Sequence, residues 1–92
     1  MNVKTAHLVV EGRVQGVCYR MYTEQKAKEL GLKGSVKNLF NGFVEIFAQG
    51  DEEKVNDLIE WCWDGSPASH VTDIKIQWLQ ENEELPPFST KY

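Results

Sequence analysis

Between Val10 and Arg20 the chain changes character, running from an apolar strand through a turn that carries Gly12 and Gly16 into a helix that begins near Tyr19. That layout builds a small anion pocket. Backbone N–H groups left free by the turn and by the first helical residues can converge on phosphate-like oxygens, and the helix dipole adds its positive end. Arg20 adds a planar guanidinium able to hold two oxygens at once. Taken alone, such a turn more often serves only to reverse the chain.

Periodicity on either side of the turn sets the architecture. Ala6, Leu8 and Val10 alternate with His7, Val9 and Glu11, which predicts a first strand with both faces at least partly covered. From Tyr19 the spacing lengthens, and Tyr19, Thr23, Ala27 and Leu30 form a helical stripe, with Gly31 and Gly34 bracketing the exit. Val36 opens a short second strand. Asn41-Gly42 predicts a type I′ hairpin into a third strand, Phe43 to Ala48, with Val44, Ile46 and Ala48 on one face and Phe43, Glu45 and Phe47 on the other.

Gly50-Asp51 closes that strand and caps a second helix, whose first turn carries Glu52 and Glu53 and whose buried stripe is Val55, Leu58, Ile59 and Cys62. Gly65-Ser66-Pro67 ends the helix. Val71 to Leu79 reads as a fourth strand, and a last short strand runs from Phe88 to Tyr92 after Pro86-Pro87. The order β-α-β-β-α-β with a terminal β predicts an α+β, ferredoxin-like sandwich: one antiparallel sheet with two helices on a single face. Ninety-two residues make one domain, 1–92, with one core.

The region Val10–Arg20 and the segment that begins Gly34-Ser35-Val36-Lys37-Asn38 and continues through Gly42, Val44 and Gly50 together resemble the signatures of the acylphosphatase family, V-x-G-x-V-Q-G-V-x-F-R and G-aromatic-V-x-N with a spaced G-x-V. Leu30-Gly31-Leu32, Trp61, and Gly65-x-Pro67 with Val71 extend the resemblance over nearly the whole chain. It implies hydrolysis of the carboxyl-phosphate bond of small acyl phosphates to a carboxylate and inorganic phosphate. The phosphate-binding loop would be Gln15, Gly16, Val17, Cys18, Tyr19 and Arg20, with Arg20 binding the phosphoryl group and Asn38 orienting the attacking water. Gly12 and Gly16 would act as backbone devices.

Such a reaction suits this residue set. The carboxylate is already a good leaving group, so positioning and charge stabilisation can supply most of the acceleration without His, Asp or metal. Each residue also has a plainer role open to it: an arginine at a helix start pairs with surface carboxylates, and an asparagine near a hairpin makes turn hydrogen bonds.

Composition bounds the alternatives. The formal net charge of −4 disfavours nucleic acid as a partner, although Arg13, Arg20 and Lys37 lie in or beside the two signature segments. No segment is apolar for long enough to span a bilayer, and no hydrophobic leader opens the chain. Cys18 and Cys62 are too few for a structural zinc site and are expected to be reduced thiols. A cytoplasmic, free-standing monomer with neither cofactor nor metal is the expectation. His7, His70 and Lys37 are set aside from catalysis, and Trp61 and Trp63 are expected to be partly buried.

Four residues depart from the family pattern. Tyr19 stands for phenylalanine, Ser35 for an aromatic whose loss would remove a wall near the pocket, and Ser66 and His70 alter the Gly-Pro segment. Two other functions compete. One is single-stranded RNA recognition on the open sheet face through Phe43 and Phe47, which lacks an RNP1-like run. The other is a carbamoyl-phosphate-handling domain of a larger maturation enzyme.

Overall fold

The alternating run at the start of the chain forms β1 (Val3–Arg13). The computed structural model describes residues 2–92 and continues with α1 (Tyr19–Glu29), β2 (Lys33–Asn38), β3 (Val44–Asp51), α2 (Glu52–Asp64), β4 (His70–Leu79) and β5 (Ser89–Lys91). The strands lie in the order β4-β1-β3-β2-β5. β1 pairs antiparallel with both β3 and β4, and β2 pairs antiparallel with β3, giving the ferredoxin-like arrangement. The fifth strand departs from the all-antiparallel expectation. It runs parallel to β2, because the chain leaves β4 at one edge and crosses the end of the sheet to reach the other. That crossing is held where the Gly34 N–H donates to the Pro86 carbonyl and where the Gln49 side chain bonds both the N–H and the carbonyl of Asn82.

Alternation along the strands puts Ala6, Leu8 and Val10 of β1, Val36 of β2, Val44, Ile46 and Ala48 of β3 and Ile74 of β4 into one buried layer. Against it pack Tyr19, Thr23 and Ala27 of α1 and Val55, Leu58, Ile59 and Cys62 of α2. Leu30 and Trp61 are partly buried at its margin, whereas Trp63 is half exposed, outside the stripe that faces the sheet. Among the described residues no helix is long and apolar enough to cross a membrane.

Helix ends follow local chemistry. The Asp51 side chain accepts from the Glu53 N–H at the start of α2. At the end of α1 the N–H groups of Gly31 and Leu32 donate to the carbonyls of Lys28 and Ala27, a paired closure that satisfies two otherwise orphaned acceptors. The hairpin after β2 forms where Asn41-Gly42 predicts it, but not as a type I′ turn. Only Gly42 has positive φ, at 93°, and the loop closes over three residues between the Leu39 N–H and the Phe43 carbonyl. The Asn41 carboxamide accepts from the Phe43 N–H, a local bond that holds Asn41 out of the left-handed region.

Gly12 does what a side chain there would forbid. The register of β1 against β4 shifts between Glu11 and Gly12, and a Cβ at Gly12 would lie 2.2 Å from the His70 carbonyl oxygen. This close approach bends the end of β1 toward the loop that follows.

Tyr19 is a core residue whose hydroxyl donates to the Cys62 carbonyl at 2.7 Å, tying α1 to α2. Burial pushes the Tyr19 phenol far above the usual tyrosine range and the Cys62 thiol up to about 12. Both shifts raise the folded-state value, so their contribution is whole while the unfolded groups remain protonated and is lost as pH rises. Folding stability should hold up to about pH 9 and then fall by roughly 1.4 kcal/mol per unit for the thiol, with the phenol adding to the slope above about pH 10. Urea midpoints measured from pH 7 to 11 check this, and Cys62→Ala should flatten the first part of the fall.

Candidate active site

The loop between β1 and α1 contains two left-handed residues within three positions, Gly16 with φ 72° and Cys18 with φ 61°. Backbone of this kind lets successive N–H groups converge on an anion. A non-glycine residue in that region costs about 1–3 kcal/mol and persists only where its surroundings enforce it. Among the described residues, the loop and turn hydrogen bonds include none donated by the N–H groups of Gly16, Val17 or Cys18. Tyr19 and Arg20 open α1, so their N–H groups lack intrahelical acceptors as well.

Three anchors hold the loop. The Gln15 carboxamide donates twice, to the carbonyls of Leu39 and Phe43 at 2.8 Å each, so the loop is bolted to the β2–β3 hairpin. Ser66, fully buried, donates to the Val17 carbonyl at 2.7 Å and attaches the loop to the segment after α2. The Tyr19 ring packs 5.7 Å from Trp61, centroid to centroid.

These contacts frame a cavity of about 790 Å³ lined by Val14, Gln15, Gly16, Cys18, Tyr19 and Arg20 from the loop and helix start, and by Asn38 from the end of β2. Arg20 and Asn38 therefore meet in one cavity. Val17 does not line it, since its side chain packs against the core. Farther along α1 the wall is Met21, Glu24 and Lys28, β5 adds Ser89 and Thr90, and Tyr92 follows just beyond it.

Arg20 makes no ion pair among the described residues. Its Nη1 donates to the Lys91 carbonyl at 2.9 Å, and its guanidinium carbon sits 4.8 Å from the centre of the Tyr92 ring. A guanidinium has five N–H donors, so one bond to Lys91 holds it in place and leaves most of its fork available. Asn38 Oδ1 is buried and has no hydrogen-bond partner among the described residues. The two plainer roles, a surface ion pair for the arginine and a turn bond for the asparagine oxygen, are thus not what these side chains do.

At the far end of the cavity Glu24 accepts from Thr90 at 2.7 Å and from Lys28 at 3.2 Å. The Thr90 bond, then Lys28, holds its carboxyl below the usual glutamate range. Its negative charge is thereby matched by a neighbouring cation, and the positive field of the loop end is left less opposed.

Other candidate groups lie elsewhere. His7 stands on the sheet face away from the helices, 2.9 Å from Glu45 and 4.6 Å from Phe47 between ring centres, so one of the two rings that an open-face RNA reading would use already has a protein partner. His70 is exposed at the start of β4 and lines neither cavity. Ser35 is buried on the face opposite Asn38, beside Phe47 in the ladder, and does not line the cavity. The expectation that it bears on a pocket wall is corrected by strand alternation. Both cysteines are free thiols, Cys18 exposed and Cys62 buried.

Lys91 and Tyr92 were missed as site residues because their part depends on where β5 docks. The signal available was the short strand after Pro86-Pro87, which would have had to be placed at the β2 edge, beside the start of α1.

The acylphosphatase family model matches residues 6–90. An acylphosphatase from Marinobacter nauticus is 45% identical over 92 residues, covering all of both chains. The chain belongs to the acylphosphatase family. An acylphosphatase from Anaeromyxobacter sp. is 40% identical over 95% of this chain and 94% of its own. The crystal structure of acylphosphatase from Bacillus subtilis superposes with a TM-score of 0.93 at 38% identity, covering 97% of this chain and 99% of that one. Membership carries acylphosphatase activity, a hydrolase reaction on small acyl phosphates.

The bolt between loop and hairpin is testable. Gln15→Glu replaces two donors with acceptors facing two carbonyls. It should cost about 2–3 kcal/mol of folding stability in urea denaturation, while an exposed control such as Gln25→Glu changes it by less than about 0.5 kcal/mol.

Proposed function

We propose that the cavity is where the acyl phosphate is hydrolysed, with Arg20 and the amides of the loop Gln15–Arg20 binding the phosphoryl group and Asn38 orienting the attacking water. The observation that carries this reading is the buried Oδ1 of Asn38, without a hydrogen-bond partner among the described residues, in the same cavity as an arginine that makes no ion pair among them. An oxygen so placed can accept a hydrogen bond from water and thereby turn a lone pair of the water oxygen toward phosphorus. The guanidinium fork and the loop N–H groups hold the non-bridging oxygens, where negative charge must be stabilised as the bond to the leaving group opens.

In the reaction the water oxygen forms a bond to phosphorus, and the bond between phosphorus and the acyl oxygen breaks with its electron pair. The carboxylate departs as an anion. A neutral amide is a poor base, so the water proton passes to a phosphoryl oxygen or to solvent. Every residue in this scheme comes from one chain, and the reaction is proposed to need no second copy and no metal.

Benzoyl phosphate turnover tests these roles. Arg20→Ala should abolish both turnover and inhibition by inorganic phosphate. Asn38→Ala should keep phosphate inhibition while kcat falls by about two orders of magnitude or more. Excess EDTA should leave the wild-type rate unchanged. Normal turnover in both variants would refute the assignment of roles.

A further inference from the structure

A second hollow, of about 510 Å³, opens on the other side of Asn38 and is lined by Gln15, Lys37, Asn38, Leu39, Phe40 and Tyr92. It shares Gln15, Asn38 and Tyr92 with the first cavity, so the two meet at the amide that would hold the water. Phe40 stands at the hairpin tip fully exposed, and Tyr92 is almost wholly exposed opposite. The fold does not account for Phe40: it is not part of the buried core and occupies a turn position that tolerates most residues.

An acyl phosphate held by its phosphoryl group must direct its acyl group out of the cradle. Along α1 it would meet the Glu24 carboxylate and the Lys28 ammonium, a charged wall that a hydrocarbon group would have to desolvate. Through the second hollow it meets Leu39 and the rings of Phe40 and Tyr92, with Lys37 at the rim to offset the charge of the anhydride. Rings placed in this way suit a flat apolar group.

We propose that Leu39, Phe40 and Tyr92 form the acyl subsite and give this enzyme a preference for acyl phosphates with an aromatic or similarly flat apolar acyl group. The proposal rests on the assignment of Arg20 and Asn38 to the phosphoryl end. Phe40 is its specificity-determining residue, because it belongs to the hollow alone and makes no contact on which the loop depends.

The test is the ratio of kcat/KM for benzoyl phosphate over acetyl phosphate, measured for the wild type, Phe40→Ala and Phe40→Tyr, with Arg20→Ala and Asn38→Ala assayed alongside. Phe40→Ala should lower the ratio by about 5- to 10-fold, with the loss in KM for benzoyl phosphate, and Phe40→Tyr should retain the wild-type ratio. An unchanged ratio in Phe40→Ala, with turnover still dependent on Arg20 and Asn38, would overturn the subsite alone. Turnover independent of Arg20 and Asn38 would overturn the phosphoryl assignment and the subsite with it.

Discussion

A small sheet that buries only one face must receive both of its helices on that face, and everything at the site follows from this. β1 and β2 are joined by α1 and separated in the sheet by β3, so they run parallel and finish at the same end. The loop leaving β1 and the hairpin leaving β2 are thereby forced together beside the start of β3, the strand both pair with. Gln15 converts this proximity into a fixed distance by donating to two carbonyls of the hairpin, and β5 fills the remaining side of the cavity by docking parallel to β2.

The site pays in local stability for what it presents. A left-handed Cys18 and, among the described residues, a row of loop N–H groups without acceptors and a buried amide oxygen without a donor are each unfavourable by about 1–3 kcal/mol in isolation. They persist because the surrounding packing is strong: Tyr19 is locked between α1 and α2 through the Cys62 carbonyl, and Ser66 grips the loop from behind. The protein carries a formal net charge of −4, yet among the described residues no carboxylate pairs with Arg20. The Glu24 side chain at the cavity wall is matched by Lys28 and Thr90.

Features decided by near neighbours in the chain could be read directly from the sequence. The four buried positions of α2, the Asp51 cap, the closure of α1 at Gly31 and the inward set of β3 all depend on spacing within a few residues. Joining Arg20 to Asn38 needed only the order of the elements. What escaped depended on long-range docking or on the competition between two local bonds. Asn41 used its side chain to cap the Phe43 N–H instead of entering a type I′ turn, and the parallel course of β5 was set by a crossing around the end of the sheet. Ser66 looked like a departure from a pattern, but its hydroxyl is what holds Val17, a partner 49 residues away. Ser35, which looked like a pocket residue, lies on the other face because strand alternation puts it there.

The account stands on the phosphoryl group being held by the loop amides and the Arg20 fork, and the most direct measurement is a titration of the ¹⁵N-labelled protein with inorganic phosphate followed by NMR. Saturable shifts confined to the backbone amides of Gln15 through Arg20, the Arg20 guanidinium and the Asn38 side chain are the predicted result. Shifts centred on the open face around His7 and Phe47, or no saturable shifts in the loop, would contradict it.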